Sequence, residues 1–198
     1  MNSLSKNWSA PGLKVGWLVA SAEFVSAFYE YSSTMYGGPA SIFYTLVEVL
    51  GRMERWLLEG AQSLDRSHVA EFEKSYGLEL DTLQKAFDHY ALQREARTAD
   101  LCDTRDASVA LLRQGGVKTV EPRFSINVAI QLPPSATDYV AFRRILRDER
   151  VSVFPGVLCL ALSSGTVRLT AAKNWPELES GVRSVSEQLG RWVRGEYP

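Results

Sequence analysis

The sequence predicts an α/β fold in which helices cover one face of a small sheet. Three observations predict it. Long stretches in both halves carry apolar residues at helical spacing. The second half holds short alternating or valine-rich runs of strand length. Glycine and proline clusters separate the two kinds of segment. At 198 residues the chain has room for one ordinary domain or two small ones, and 45% hydrophobic residues supply a sizeable core.

Residues 13–21 read L-K-V-G-W-L-V-A-S, a short apolar run expected to form a buried strand. Residues 22–35 place Phe24, Val25, Phe28 and Tyr31 at helical spacing. Gly37-Gly38-Pro39 ends that helix, and Pro39 suits the first turn of the next, over 40–58. This second helix carries Phe43, Leu46, Val47, Leu50, Trp56 and Leu57, with Gly60 as its stop. Residues 63–114 stay helical apart from a break at Tyr76-Gly77, with Ser63, Asp65 and Ser67 as candidate N-caps and Gly115-Gly116 as the end. Residues 124–132 alternate and predict a half-buried strand closed by Pro133-Pro134. A short amphipathic helix is expected over 137–150. Three strands follow at 151–153, 158–162 and 167–171, and a last helix at 176–194. A hinge is expected near 56–63.

Charge is balanced, with a formal net of -1, so nothing points to nucleic acid or an anionic membrane. No apolar run approaches the roughly 20 residues of a membrane helix, and residues 1–6 have no signal-peptide core. Cys102 and Cys159 lie far apart without a partner motif and read as reduced thiols of a cytoplasmic protein. The two histidines, His68 and His89, have no metal-ligand spacing, so no metal site is expected.

Residues 3–16 read S-L-S-K-N-W-S-A-P-G-L-K-V-G. Serine precedes lysine by three positions. A Pro-Gly loop follows, then a basic residue eight positions after the lysine and a glycine two further on. This set of Ser3, Lys6, Pro11-Gly12, Lys14 and Gly16 resembles the cofactor-lysine signature of class I/II aminotransferases of fold type I. The resemblance implies pyridoxal 5′-phosphate as cofactor, with Lys6 forming a Schiff base to its aldehyde. An unprotonated amine is needed for that bond, and burial or nearby cations favour it by lowering the lysine pKa. By the same resemblance, Ser3 and Lys14 bind the phosphate. Most of the family has arginine at position 14; lysine keeps the charge and loses the forked contact. Read without the pattern, Lys6 is an exposed lysine and Pro11-Gly12 an ordinary turn.

Later segments resemble the family in the same order. Gly37-Gly38-Pro39-Ala40-Ser41 is similar to its Gly-Pro-Ser helix start. Residues 112–122, followed by the alternating strand, resemble the entry to its small domain. Residues 151–156 resemble its valine-rich strand ending in Pro-Gly. Val167-Arg168-Leu169-Thr170 resembles the strand whose arginine grips the substrate carboxylate, which implies that role for Arg168. A guanidinium meets a carboxylate with two parallel N–H groups; the alternative for Arg168 is a structural ion pair. Where the family commonly has a glycine pair, this chain has Pro122-Arg123-Phe124. Arg123 is then either a surface residue or a second anchor for a substrate side chain. Residues 63–100 carry no family motif.

The resemblance implies two domains. Residues 1–58 would end a large cofactor-binding domain and carry the lysine, and 59–198 would form the small C-terminal domain. The family's other cofactor-binding groups precede the lysine by more residues than this chain has before Lys6. Three readings follow. A separately encoded large-domain chain completes a split enzyme, with a homo-oligomer of the assembly. Alternatively, the chain is a truncated copy, or a non-catalytic interaction module on a borrowed fold. The substrate expected for the enzyme is an α-amino acid, by transamination or by other chemistry of the same cofactor: elimination, decarboxylation or side-chain cyclisation.

Overall fold

A computed structural model describes residues 2–38, 40–123, 125–159 and 165–196. The chain divides into two compact units, Met1–Glu95 and Ala96–Pro198.

The first unit opens with strand β1 (Asn2–Ser3), the four-residue helix α1 (Leu4–Asn7), a 3-10 turn at Pro11–Leu13 and strand β2 (Gly16–Trp17). β1 and β2 pair antiparallel, with Ser3 opposite Gly16. The expected buried strand over 13–21 is therefore cut to two residues. Pro11 starts a tight turn, and Lys14 leaves it in the left-handed conformation at φ 53°. A strand needs hydrogen-bonding neighbours. Asn2–Ser3 alone offers them among the described residues, so Leu18 and Val19 are exposed. An apolar run gives the preference for burial but not the neighbour that satisfies it.

Helix α2 (Ala22–Tyr36) starts at Ser21, whose hydroxyl accepts from the Phe24 amide, and ends at Gly37 with φ 69°. Helix α3 (Ser41–Leu58) follows; Pro39, expected to open it, lies outside the described residues. Of the three candidate caps, Asp65 is the one that starts helix α4 (Arg66–Ala70). It accepts from the Ser67 and His68 amides while His68 Nδ1 accepts from the Asp65 amide, a reciprocal capping box. The Ser67 hydroxyl, with the Ser67 and His68 amides, holds the Asp65 carboxyl well below the usual carboxylate range. A 3-10 turn at Lys74–Tyr76 and Gly77 at φ 58° make the predicted break before helix α5 (Leu80–Gln114). The core of this unit is Met53, Trp56, Leu64, Phe72, Leu83 and Phe87, with Trp56 edge-on to both Phe72 and Phe87.

In the second unit, α5 ends at Gly115-Gly116 as expected, with Gly116 at φ 78°. Strands β3 (Lys118–Thr119), β4 (Asn127–Gln131), β5 (Phe154–Pro155) and β6 (Thr166–Thr170) form an antiparallel sheet in the order β3-β4-β6-β5. Helix α6 (Asp138–Glu149) is capped by Thr137, and helix α7 (Trp175–Val193) closes the unit. Val128, Ile130, Val167 and Leu169 face a core shared with Leu112, Ile145, Val182, Val185 and Leu189, so the helices cover one face of the sheet as predicted. Two strand expectations change, and β3 is a strand that was not expected. Pairing at 151–153 shifts to Phe154–Pro155, opposite Arg168 and Val167, although Val153 is buried. Residues 158 and 159 belong to a 3-10 turn (Gly156–Cys159), and 160–162 lie outside the described residues. β3 is too short and polar to show a period.

The end of α5 meets α7 backbone to backbone. A Cβ on Gly190 would stand 2.8 Å from the Gly115 carbonyl oxygen. Gly190→Ala should therefore destabilise the fold by about 1–3 kcal/mol, as overpacking does. Gly181, on the same helix, has Val151 methyls at 3.7 Å, and Gly181→Ala should instead gain about 1 kcal/mol of helix propensity. Thermal unfolding of the two variants checks the opposite signs.

Candidate active site

Three of the predicted site residues share one local structure. Ser3 ends β1 and is the residue before α1; Lys6 is the third residue of α1; Lys14 leaves the turn that leads to β2. The Leu4 amide donates to the Val15 carbonyl at 3.0 Å and the Ala10 amide to the Leu4 carbonyl at 3.2 Å, which closes the loop around the lysine. The Leu4 side chain is fully buried. The Lys6 side chain lies outside the described residues. Lys14 is exposed. Beside the loop is an open apolar hollow of about 600 Å³ lined by Ser3, Gly16, Trp17, Leu18, Phe24 and Phe28.

The loop is held at its far end by Trp8. Its indole N–H donates to the Tyr90 hydroxyl at 2.8 Å, and its ring lies 5.7 Å from that of Trp17. Tyr90 donates to Glu54 at 2.6 Å, and Arg94 grips the same carboxylate with Nε and Nη2 at 2.8 and 2.7 Å. Burial, then the Glu54 carboxylate, pushes the Tyr90 phenol above its ordinary range. The sequence alone gives Trp8, Glu54, Tyr90 and Arg94 no role. Their spacing of 36 to 82 residues left no local signal.

Arg168 and Arg123 belong to the second unit. Arg168 sits at the centre of β6, between Ala129 on β4 and Phe154 on β5. Val167 and Leu169 point to the core, so Arg168 is on the opposite face. Its guanidinium lies over the Phe154 ring at 4.6 Å from the centroid. Its buried Nε has no hydrogen-bond partner, and no ion pair to Arg168 occurs among the described residues. The structural ion pair weighed for it is thus absent there. A buried donor left unpaired costs about 1–3 kcal/mol; Arg168 also lines a hollow of about 540 Å³ with Ser152, Phe154, Thr170 and Lys173. Arg123 is exposed at a bend between β3 and β4 and does not line that hollow. Phe154 escaped the sequence reading because a valine-rich strand was expected there.

Among the described residues no group of histidine, cysteine or acidic side chains could hold a metal, and no helix is long and apolar enough to cross a membrane. Cys102 and Cys159 are both free.

Solved structures share the fold at low identity. An aspartate aminotransferase of Thermotoga maritima aligns with a TM-score of 0.62 and 18% identity over 95% of this chain and 39% of its own. A single mutant of the Thermus thermophilus aspartate aminotransferase gives 0.63 and 22% over 93% and 39%. A structure described as Pyrococcus protein-A1 gives 0.66 and 17% over 99% and 42%. The chain thus spans about two fifths of the proteins it resembles. No functionally curated protein matches it. The sequence profile described as aminotransferase class I and II matches residues 1–185, more than nine tenths of the length, and the chain belongs to that family.

Proposed function

We propose that the chain is the lysine-bearing part of a pyridoxal-phosphate-dependent aminotransferase acting on an α-amino acid. The observation that carries this reading is the loop that brings Ser3, Lys6 and Lys14 into one local structure within a family of aminotransferases. The donor set fits the cofactor: an amine for an aldehyde, with a hydroxyl and a cation for a phosphate. The apolar hollow lined by Ser3 and Trp17 suits an aromatic ring. When bound, pyridoxal 5′-phosphate supplies the aldehyde and an electron-withdrawing ring. Lys6 Nζ would hold the aldehyde, Ser3 Oγ and Lys14 Nζ would hold the phosphate, and Arg168 would hold the substrate carboxylate. The unpaired Arg168 Nε supports the last assignment, because a carboxylate would satisfy it. Arg123, exposed on its bend, is kept as a candidate second anchor for a substrate side chain.

The remaining large-domain elements come, in this reading, from a separately encoded chain, with two copies of each in the assembly. Residues 1–58 belong to that large domain and 59–198 to the small one. The exposed aromatic face of α2 supports it. Phe24, Phe28, Tyr29 and Tyr31 are all more than half exposed, with Phe24 and Phe28 stacked on each other, and exposed aromatic surface of this kind is found at interfaces.

The test is chemical. The assembled protein loaded with pyridoxal 5′-phosphate should change its visible spectrum on addition of an L-amino acid and release the matching keto acid in single turnover. A spectral change with release of carbon dioxide or an elimination product, and no keto acid, would move the assignment to the alternative chemistries. No spectral response to any amino acid would favour the non-catalytic module.

A further inference from the structure

We infer that Tyr90 is a positioning residue for Lys6, acting through Trp8 and held in place by Glu54 and Arg94. The inference rests on the assignment of Lys6 as the cofactor lysine.

A helix of four residues cannot stand by itself, since nucleation alone is unfavourable. The direction of α1 is therefore set by what its ends hold. At one end the buried Leu4 side chain enters the interior, and its amide is tied to Val15. At the other end Trp8 caps the helix, its amide donating to the Leu4 carbonyl at 3.2 Å. The side-chain hydrogen bond that anchors Trp8 goes to Tyr90.

The polarity of this chain of hydrogen bonds is fixed by chemistry. Indole N–H only donates, so the Tyr90 oxygen accepts from it. Tyr90 has one proton to give, and it goes to Glu54. Glu54 accepts from Tyr90 and from two nitrogens of Arg94, which requires an ionised carboxylate. The hydrogen bond to Glu54 raises the Arg94 pKa. The donors and acceptors are thus ordered from Arg94 on α5 through Glu54 on α3 to the loop two residues past Lys6. This gives a task to residues 63–100, the stretch without a family motif.

The test uses the whole chain and two readouts. In a ¹H–¹⁵N spectrum, the Trp8 indole signal, identified by its loss in Trp8→Phe, should shift in Tyr90→Phe. Reductive labelling of Lys6 by pyridoxal 5′-phosphate and cyanoborohydride, followed by peptide mapping, should slow about three- to tenfold in either variant. The double variant should label no more slowly than the singles, because both remove one bond. A loss of packing alone would instead add in the double variant. Should Tyr90→Phe fail to fold, Trp8→Phe probes the same bond from its other end. A Trp8 signal indifferent to Tyr90→Phe, or Lys6 labelling at the parental rate in the folded variants, overturns the inference. Parental labelling at a different lysine would overturn the Lys6 assignment instead, and the Trp8 signal would distinguish the two failures.

Discussion

Lys6→Ala should remove the visible absorption of the cofactor-loaded assembly and abolish borohydride capture. Alanine is the best helix former, so α1 keeps its backbone preference while the amine is gone. Leu4 and Trp8, which fasten the loop, are untouched. Far-ultraviolet circular dichroism should then match the parent while turnover falls by roughly 10²–10⁴. Free cofactor would still bind through its phosphate, with weaker affinity and the spectrum of an aldehyde in solution. Peptide mapping of the parent decides the assignment. Capture on Lys14, in the same loop, or on any lysine of the second unit would sink it.

Arg168→Ala should raise KM for amino-acid substrates about ten- to a hundredfold, the loss expected for charge-assisted hydrogen bonds worth about 1.5–3 kcal/mol. The cofactor spectrum should be unchanged. Arg168→Lys should fall between, since it keeps the charge and loses the fork. Stability gives an independent sign. A structural arginine would destabilise the sheet on removal. Here the buried Nε is unpaired and the ring of Phe154 is the neighbour, so Arg168→Ala removes an unsatisfied donor and should cost little or no thermal stability. Equal kinetics for variant and parent, or a large loss of melting temperature, would take Arg168 out of the site.

Periodicity located every described helix of more than ten residues; those of the second unit bury a stripe, whereas α2 repeats its aromatic residues on an exposed surface. The last helix hides Leu178, Val182, Val185 and Leu189, and its 3.6-residue repeat is visible without coordinates. Capping was legible for the same local reason, as at Asp65 and Thr137. Strands were read less well. The run from Leu13 to Val19 is apolar enough for a sheet interior, but a ladder depends on residues elsewhere in the chain, and Asn2–Ser3 pairs with two positions only. The lysine loop was legible because its parts lie within fourteen residues. The Trp8–Tyr90–Glu54–Arg94 chain was not, since it joins positions that only folding brings together.

The left-handed backbone at Lys14 carries its own consequence. That conformation disfavours a residue with a Cβ by about 1–2 kcal/mol, and glycine or asparagine would relax it. An engineering screen scored on heat resistance would therefore drift toward Lys14→Gly and discard the cation proposed for the phosphate. A screen scored on cofactor retention would hold the lysine and tolerate the strained turn. The position is one where thermostability and ligand capture pull the same codon in opposite directions, and a library selected under both pressures should settle on arginine or lysine there rather than on the residue the turn prefers.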